Sequence, residues 1–157
     1  MNKISLLFIL SVLITFSAYA QDDIKITHAP YLQNLGENEV TVVWTANKPS
    51  IGWVELAPDD GTHYYQTERP KFFNAKNGIK LTSTVHSVHM TGLKPGTRYR
   101  YRVYSQEVLS HVGWRVIYGN VAATSVYGKQ PLTFLTSDHG RQSVNFAMVN
   151  DIHGKVM

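Results

Sequence analysis

Residues 98–104 constrain the fold of this chain more than any other stretch, because arginine alternates there with tyrosine or valine. Successive side chains of a β-strand point to opposite faces, so Tyr99, Tyr101 and Val103 share one face and three arginines share the other. The preceding residues 92–97 hold a proline that presets φ and a glycine that accepts a positive φ. The pattern predicts a strand that begins at a tight turn.

The chain between residues 24 and 136 consists of short β-branched or alternating runs separated by turn residues, with no convincing helical period. The predicted strands are residues 40–45, 51–56, 62–67, 82–90, 99–105 and 132–136. Several short strands with regular turn punctuation predict an all-β fold, an antiparallel β-sandwich.

Residues 92–103 resemble the corner between strands E and F of a fibronectin type III domain, where a tyrosine hydroxyl bonds to a backbone carbonyl. Residues 86–91 and 29–33 are similar to the variant that precedes the catalytic domain of purple acid phosphatases. The resemblance implies an immunoglobulin/fibronectin type III-like sandwich over residues 22–137. Residues 107–128 are longer than such a domain needs between its last two strands, which leaves room for an extra hairpin of no assigned role.

The first twenty residues have the features of a secretory signal peptide. Lys3 precedes an almost wholly apolar stretch over residues 4–16, and residues 18–20 have the small-x-small form of a cleavage site. We therefore expect cleavage before Gln21 and a secreted or periplasmic protein, with an uncleaved anchor as the alternative. Because the chain holds no cysteine, its core must be stable without disulfides.

The net charge of +4 is modest and does not indicate a nucleic-acid partner, and we expect no membrane partner either. The length suits one domain rather than two.

A polar linker at residues 138–143 is followed by an apolar run at residues 144–149, which is typical of a buried strand of a parallel sheet. Asp151 and His153 come directly after it, where ligands gather in open α/β sheets. Residues two apart on a strand project to the same side, so a carboxylate oxygen and an imidazole nitrogen can converge on one cation. This donor pair suits Zn, Fe or Mn better than Ca.

The Asp-x-His motif resembles the first block of calcineurin-like metallophosphoesterases, the superfamily that includes purple acid phosphatases. The resemblance implies that Asp151 and His153 bind the first of two metal ions (Fe, Zn or Mn) in a parent hydrolase that cleaves phosphate esters. Purple acid phosphatases proper usually have Gly where His153 stands, which points to the broader, colourless branch.

The later ligand blocks of that superfamily are absent from residues 1–157. We therefore interpret residues 144–157 as the start of a truncated catalytic domain, with the missing part expected to pack on the sandwich. We expect the fragment to hold no catalytic residue, to be inactive and to bind no metal stably. The alternative is a stand-alone secreted β-sandwich that serves binding or adhesion.

Other candidate residues have structural explanations. His86 and His89 lie an odd number of residues apart, so they should face opposite sides of a strand and cannot share an ion. Trp44 and Trp53 are interpreted as core residues rather than a ligand platform. The basic stripe formed by Lys94, Arg98, Arg100 and Arg102 is interpreted as a solvated strand face, with docking of the catalytic domain or substrate steering as the alternative.

Overall fold

The computed structural model describes residues 22–125 and 132–140, and every regular element in these ranges is a β-strand. The predicted signal peptide and residues 144–157 lie outside the described residues. The strands are β1 (Ile26–Gln33), β2 (Glu39–Pro58), β3 (Lys71–Phe73), β4 (Ala75–Lys76), β5 (Ile79–Lys80), β6 (Thr82–Thr91), β7 (Arg98–Val112), β8 (Arg115–Ala123) and β9 (Leu132–Leu135). Within the described ranges, no helix has the length and apolar character that a membrane crossing requires.

The long strand β2 belongs to both layers of the fold. Its first half, up to Ala46, pairs antiparallel with β1 and β6. Its second half, from Ser50, pairs with β7 and β3, and β6 continues beside it only at Ser50 and Ile51. The register shifts between Thr45 and Ser50, where the strand passes from one layer to the other. The strands predicted at residues 40–45 and 51–56 are therefore two halves of one continuous strand.

The second layer is built around β7. Its first residues pair with β9 (Arg98 with Leu135), and its later residues pair with β8 (from Tyr104 with Ala123 to Val112 with Arg115). β8 and β9 thus occupy the same edge of β7 in succession. The hairpin expected within residues 107–128 is confirmed for its described part, because β7 itself continues to Val112 and turns into β8.

The core lies between the two layers and consists almost entirely of strand residues. Its buried members are Val40, Val42, Trp44, Val54, Leu56, Val88, Met90, Leu93, Tyr101, Val103 and Phe134. The alternation of residues 98–104 is confirmed, because Tyr101 and Val103 are core residues and Tyr99 packs against them. The predicted all-β, immunoglobulin/fibronectin type III-like antiparallel β-sandwich is confirmed.

The strand predicted at residues 62–67 is wrong, because this segment forms turns and bends. Tyr64 points inward there, is only 6% exposed, and donates its hydroxyl to the Glu55 carbonyl at 2.8 Å. Residues 62–67 contain both polar and aromatic residues, which resembles a strand in sequence. In the structure the buried Tyr64 side chain holds this segment, and the backbone hydrogen bonds of a strand do not form.

Candidate functional site: the pole where the chain leaves the sandwich

Three segments meet at one end of the sandwich, which we call the exit pole. They are the turn between β1 and β2 (residues 34–38), the turn between β6 and β7 (residues 92–97), and residues 136–140 after β9. Residues 136–140 are the last described residues of the chain. The bonds among the three segments therefore fix the path of the chain as far as residue 140.

Thr136 is the best anchored residue of this pole. Its side chain is fully buried, and its hydroxyl donates to the Lys94 carbonyl at 2.7 Å and accepts the Thr97 N–H at 2.9 Å. Its own N–H donates to the Thr97 carbonyl at 3.1 Å. A buried hydroxyl without hydrogen-bond partners would cost free energy of folding. These bonds therefore hold residue 136 firmly against the β6–β7 turn.

The next residues connect the exit to both turns. The Ser137 N–H donates to the Gly36 carbonyl at 2.9 Å, and the Ser137 carbonyl accepts the Gly96 N–H at 3.0 Å. Gly96 has a φ of +60°, a left-handed conformation that disfavours any residue with a side chain. The chain therefore leaves along a path fixed from two sides.

His139 extends this attachment to the surface. Its Nδ1 lies 2.8 Å from Glu37 Oε1, while its side chain is 91% exposed. The linker histidine is therefore exposed and still has a partner. A contact of this kind between polar side chains at the surface contributes little to stability.

The predicted tyrosine corner supports the same pole from inside. The Tyr99 hydroxyl accepts the Lys94 N–H at 3.0 Å, and the Tyr99 ring stacks on Phe134 with centroids 5.4 Å apart. The residue and its direction are as predicted, but its partner is a backbone N–H rather than a carbonyl. The Tyr99 hydroxyl thus holds the backbone of Lys94, whose carbonyl accepts the hydrogen bond from the Thr136 hydroxyl.

A second polar group, at the opposite end of the interior, was missed by sequence reasoning. His86 is fully buried; its Nε2 lies 2.8 Å from Ser50 Oγ and its Nδ1 lies 3.4 Å from Asn74 Nδ2. Burial lowers the pKa of His86 to about 4, so the ring is neutral near pH 7. The signal in the sequence was His86 on the apolar face of β6.

The ring of His86 is seated against β2. The centroids of the His86 and Trp44 rings are 5.0 Å apart. Gly52 packs so closely on the His86 ring that a Cβ at residue 52 would lie only 2.5 Å from it. The Trp44 indole N–H donates to Ser105 Oγ at 2.9 Å. Because Ser50, His86 and Ser105 are all fully buried, this group is closed to substrates and is structural.

The two histidines of β6 behave as the strand period predicts. His86 shares the buried face with Val88 and Met90, whereas His89 is exposed and bonds to Glu39 Oε2 at 3.1 Å. They do not share a ligand site.

The arginines of β7 are mostly engaged within the sandwich, so the prediction of a freely solvated stripe is wrong for Arg100 and Arg102. Arg100 donates to the Pro58 and Thr62 carbonyls at 2.9 and 2.7 Å, and its side chain is only 11% exposed. Arg102 donates to the Thr124 carbonyl and to the Tyr65 hydroxyl. These guanidinium groups tie loops to the sheet, which leaves little of them to steer an anionic substrate.

The two tryptophans occupy different environments. Trp44 is a core residue, as predicted. Trp53 points to the opposite side of β2 from Val54 and stacks on Tyr104 with centroids 4.9 Å apart and planes inclined by 3°. The interpretation of Trp53 as a core residue is therefore wrong, and it belongs to an aromatic cluster on the outer face of the second layer.

The predicted metal ligands Asp151 and His153 lie outside the described residues, as do residues 141–143 of the predicted linker. Residues 22–125 and 132–140 contain no group of three or more His, Asp or Glu side chains placed to hold a metal ion. The described residues 136–140 precede in sequence the segment that contains the candidate ligands Asp151 and His153.

Comparison with known proteins identifies the family. Residues 28–118 match the family model described as purple acid phosphatase, N-terminal domain. A redesigned β-sandwich protein matches 73% of this chain and 96% of its own, at 18% identity and a TM-score of 0.42. The FN5 domain of Drosophila Lar has the same two coverages, at 14% identity and a TM-score of 0.40. No curated protein sequence gives a significant match.

Proposed function

Because the chain belongs to the purple acid phosphatase N-terminal domain family, we propose that its sandwich is the front module of a secreted, metal-dependent phosphoesterase. The observation that carries this proposal is the bonded exit of the chain at Thr136 and Ser137. A buried, fully bonded exit gives a following domain a fixed point of attachment. The role of the sandwich is to hold the first strand of the catalytic domain in a fixed position.

The chemistry of the following segment supports a hydrolase. Asp151 and His153 supply one oxygen and one nitrogen donor, a set suited to Zn, Fe or Mn. Metal ions bound by these and further ligands would polarise the phosphoryl oxygen of a phosphate ester. The sandwich contributes no catalytic residue to this proposal, and the described part of the chain by itself is proposed to be inactive.

The proposed location is outside the cytoplasm. It is supported by the charge, length and cleavage pattern of residues 1–20.

The test is hydrolysis of p-nitrophenyl phosphate by the protein made from the complete reading frame of the gene, together with its metal content. Replacing Asp151 and His153 by alanine should abolish hydrolysis and lower the bound metal. The matched control is Asp22→Ala, at a carboxylate that is 86% exposed and lies outside the exit pole; it should change neither quantity. Unchanged hydrolysis and metal content in the double variant would overturn the proposal.

A stand-alone binding module remains the second candidate, because several large apolar side chains of β7 and β8 are exposed. It predicts that removal of residues 141–157 leaves every binding property of the protein unchanged.

A further inference from the structure

The end of β7 and the start of β8 form a two-stranded ribbon, residues 108–118, which we call the distal hairpin. β7 pairs with β2 only as far as Glu107, which lies opposite Ser50. Beyond this point, among the described strands, β7 pairs with β8 alone. The ribbon lies at the end of β7 opposite to Arg98, where β9 and the exit pole are found.

The distal hairpin exposes an unusual amount of apolar surface. Trp114 is 99% exposed and Val112 74%. Leu109, Ile117 and Tyr118 are exposed as well. An isolated two-stranded ribbon is marginally stable in water, and contiguous apolar patches mark interaction sites. A partner that covers this ribbon would stabilise it.

The outer edge of β8 lacks most of the devices that protect sheet edges from association. Natural edges are commonly guarded by charged side chains, proline or bulges. β8 contains no proline, and its single charged residue is Arg115, at its first position. Bulges interrupt the pairing with β7 near Val108, whereas toward the tip Ser110, His111 and Val112 pair in regular succession with residues 117, 116 and 115.

We propose that the distal hairpin is a self-association surface, through which β8 of one copy pairs antiparallel with β8 of a second copy around a two-fold axis. Residues 108–125 contain no Asp or Glu, so the surface offers little to a partner recognised by ion pairs. A second copy presents the same edge, with Arg115 as its one charged residue, and the same apolar side chains. The two-fold axis also places the two Arg115 side chains at opposite ends of the joined strands, where they do not repel each other.

The proposed dimer leaves the exit pole free, because the hairpin and the exit lie at opposite ends of β7. It therefore does not depend on the proposed function. The small interface places the dimer among weak, transient assemblies.

The test is sedimentation equilibrium of the purified chain over a range of concentrations. Ile117→Lys adds a charge to the paired edge and should raise the dissociation constant by at least about tenfold. The matched control is Ile79→Lys, on the β4–β5 hairpin, where the side chain is 68% exposed; it should leave the constant unchanged. Circular dichroism checks that both variants are folded. A wild-type monomer at all concentrations, or equal weakening by both variants, would overturn the proposal.

Trp114 supplies a second readout. Dimerisation should shift its fluorescence emission to the blue as concentration rises, and Trp114→Phe should remove this shift. If vesicles of phosphatidylcholine and phosphatidylglycerol cause the shift while concentration does not, the partner is a lipid surface and the dimer is refuted.

Discussion

His86 Nε2 and Ser50 Oγ lie 2.8 Å apart inside the sandwich, and both side chains are fully buried. The pair connects β6 to the point where β2 passes from the first layer to the second. The joint between the two layers thus depends on a histidine that must remain neutral.

This histidine makes stability depend on pH. Its pKa is about 4 in the folded protein and 6.5 without burial, so below pH 6.5 the unfolded state binds the proton more readily. The contribution of neutral His86 to the free energy of unfolding is complete above pH 6.5 and is lost as the pH falls toward 4. The free energy lost in this way is at most about 3 kcal/mol. Urea unfolding at pH 7.5 and 4.5 should show this loss.

The variants His86→Gln and His89→Gln separate this effect from general acid sensitivity. His86→Gln should be less stable at pH 7.5 but should depend less on pH, whereas His89→Gln should retain the wild-type dependence. Identical pH dependence in the two variants would contradict the role of His86.

The close packing of Gly52 should make Gly52→Ala destabilising. The added Cβ would lie 2.5 Å from the His86 ring and 2.8 Å from the Trp44 ring, and overpacking of this kind costs about 1–3 kcal/mol. At Gly36 the nearest atom is the flexible Glu39 Cγ at 3.3 Å, so Gly36→Ala serves as the control. Thermal unfolding compares the two, and equal losses would refute the packing argument.

Thr136→Val should weaken the exit pole. Valine keeps the shape of threonine but leaves the Lys94 carbonyl and the Thr97 N–H without this partner, at a cost of about 1–3 kcal/mol. Thr133→Val, at an exposed position of β9, should stay within about 0.5 kcal/mol of wild type. Denaturant unfolding measures both, and a Thr136 variant as stable as wild type would show that the exit is not held by this hydroxyl.

Tyr99→Phe should remove the hydrogen bond of the tyrosine corner while the ring remains stacked on Phe134. The expected loss is about 0.5–1.5 kcal/mol. Tyr31→Phe, at a half-exposed tyrosine of β1, is the control and should be neutral. Hydrogen exchange of the Lys94 amide gives a local readout, since it should accelerate only in the Tyr99 variant.

The sequence predicted the fold well where one residue type alternated with another. The faces of residues 98–104 and the opposed positions of His86 and His89 follow from the two-residue period of a strand alone. The same period could not reveal that residues 40–45 and 51–56 form one strand, because the Asn, Lys and Pro at residues 47–49 resemble an ordinary turn although the strand continues through them.

Errors arose where a polar side chain or a loop is held by tertiary contacts. Arg100 looks solvated in sequence, yet it donates to the carbonyls of Pro58, at the end of β2, and of Thr62, in the loop that follows. Tyr64 draws residues 62–67 away from a strand by bonding to Glu55. The buried pair of Ser50 and His86 was equally hidden, since 36 residues separate its members. The predicted metal ligands Asp151 and His153 remain predictions.

The most direct test of the proposed function is the nucleotide sequence that follows codon 157. We expect the same reading frame to continue into Gly-Asp-x-x-Asp and Gly-Asn-His blocks that complete the ligands begun by Asp151 and His153. A stop codon followed by unrelated sequence would contradict the proposed phosphoesterase and leave an exported sandwich module.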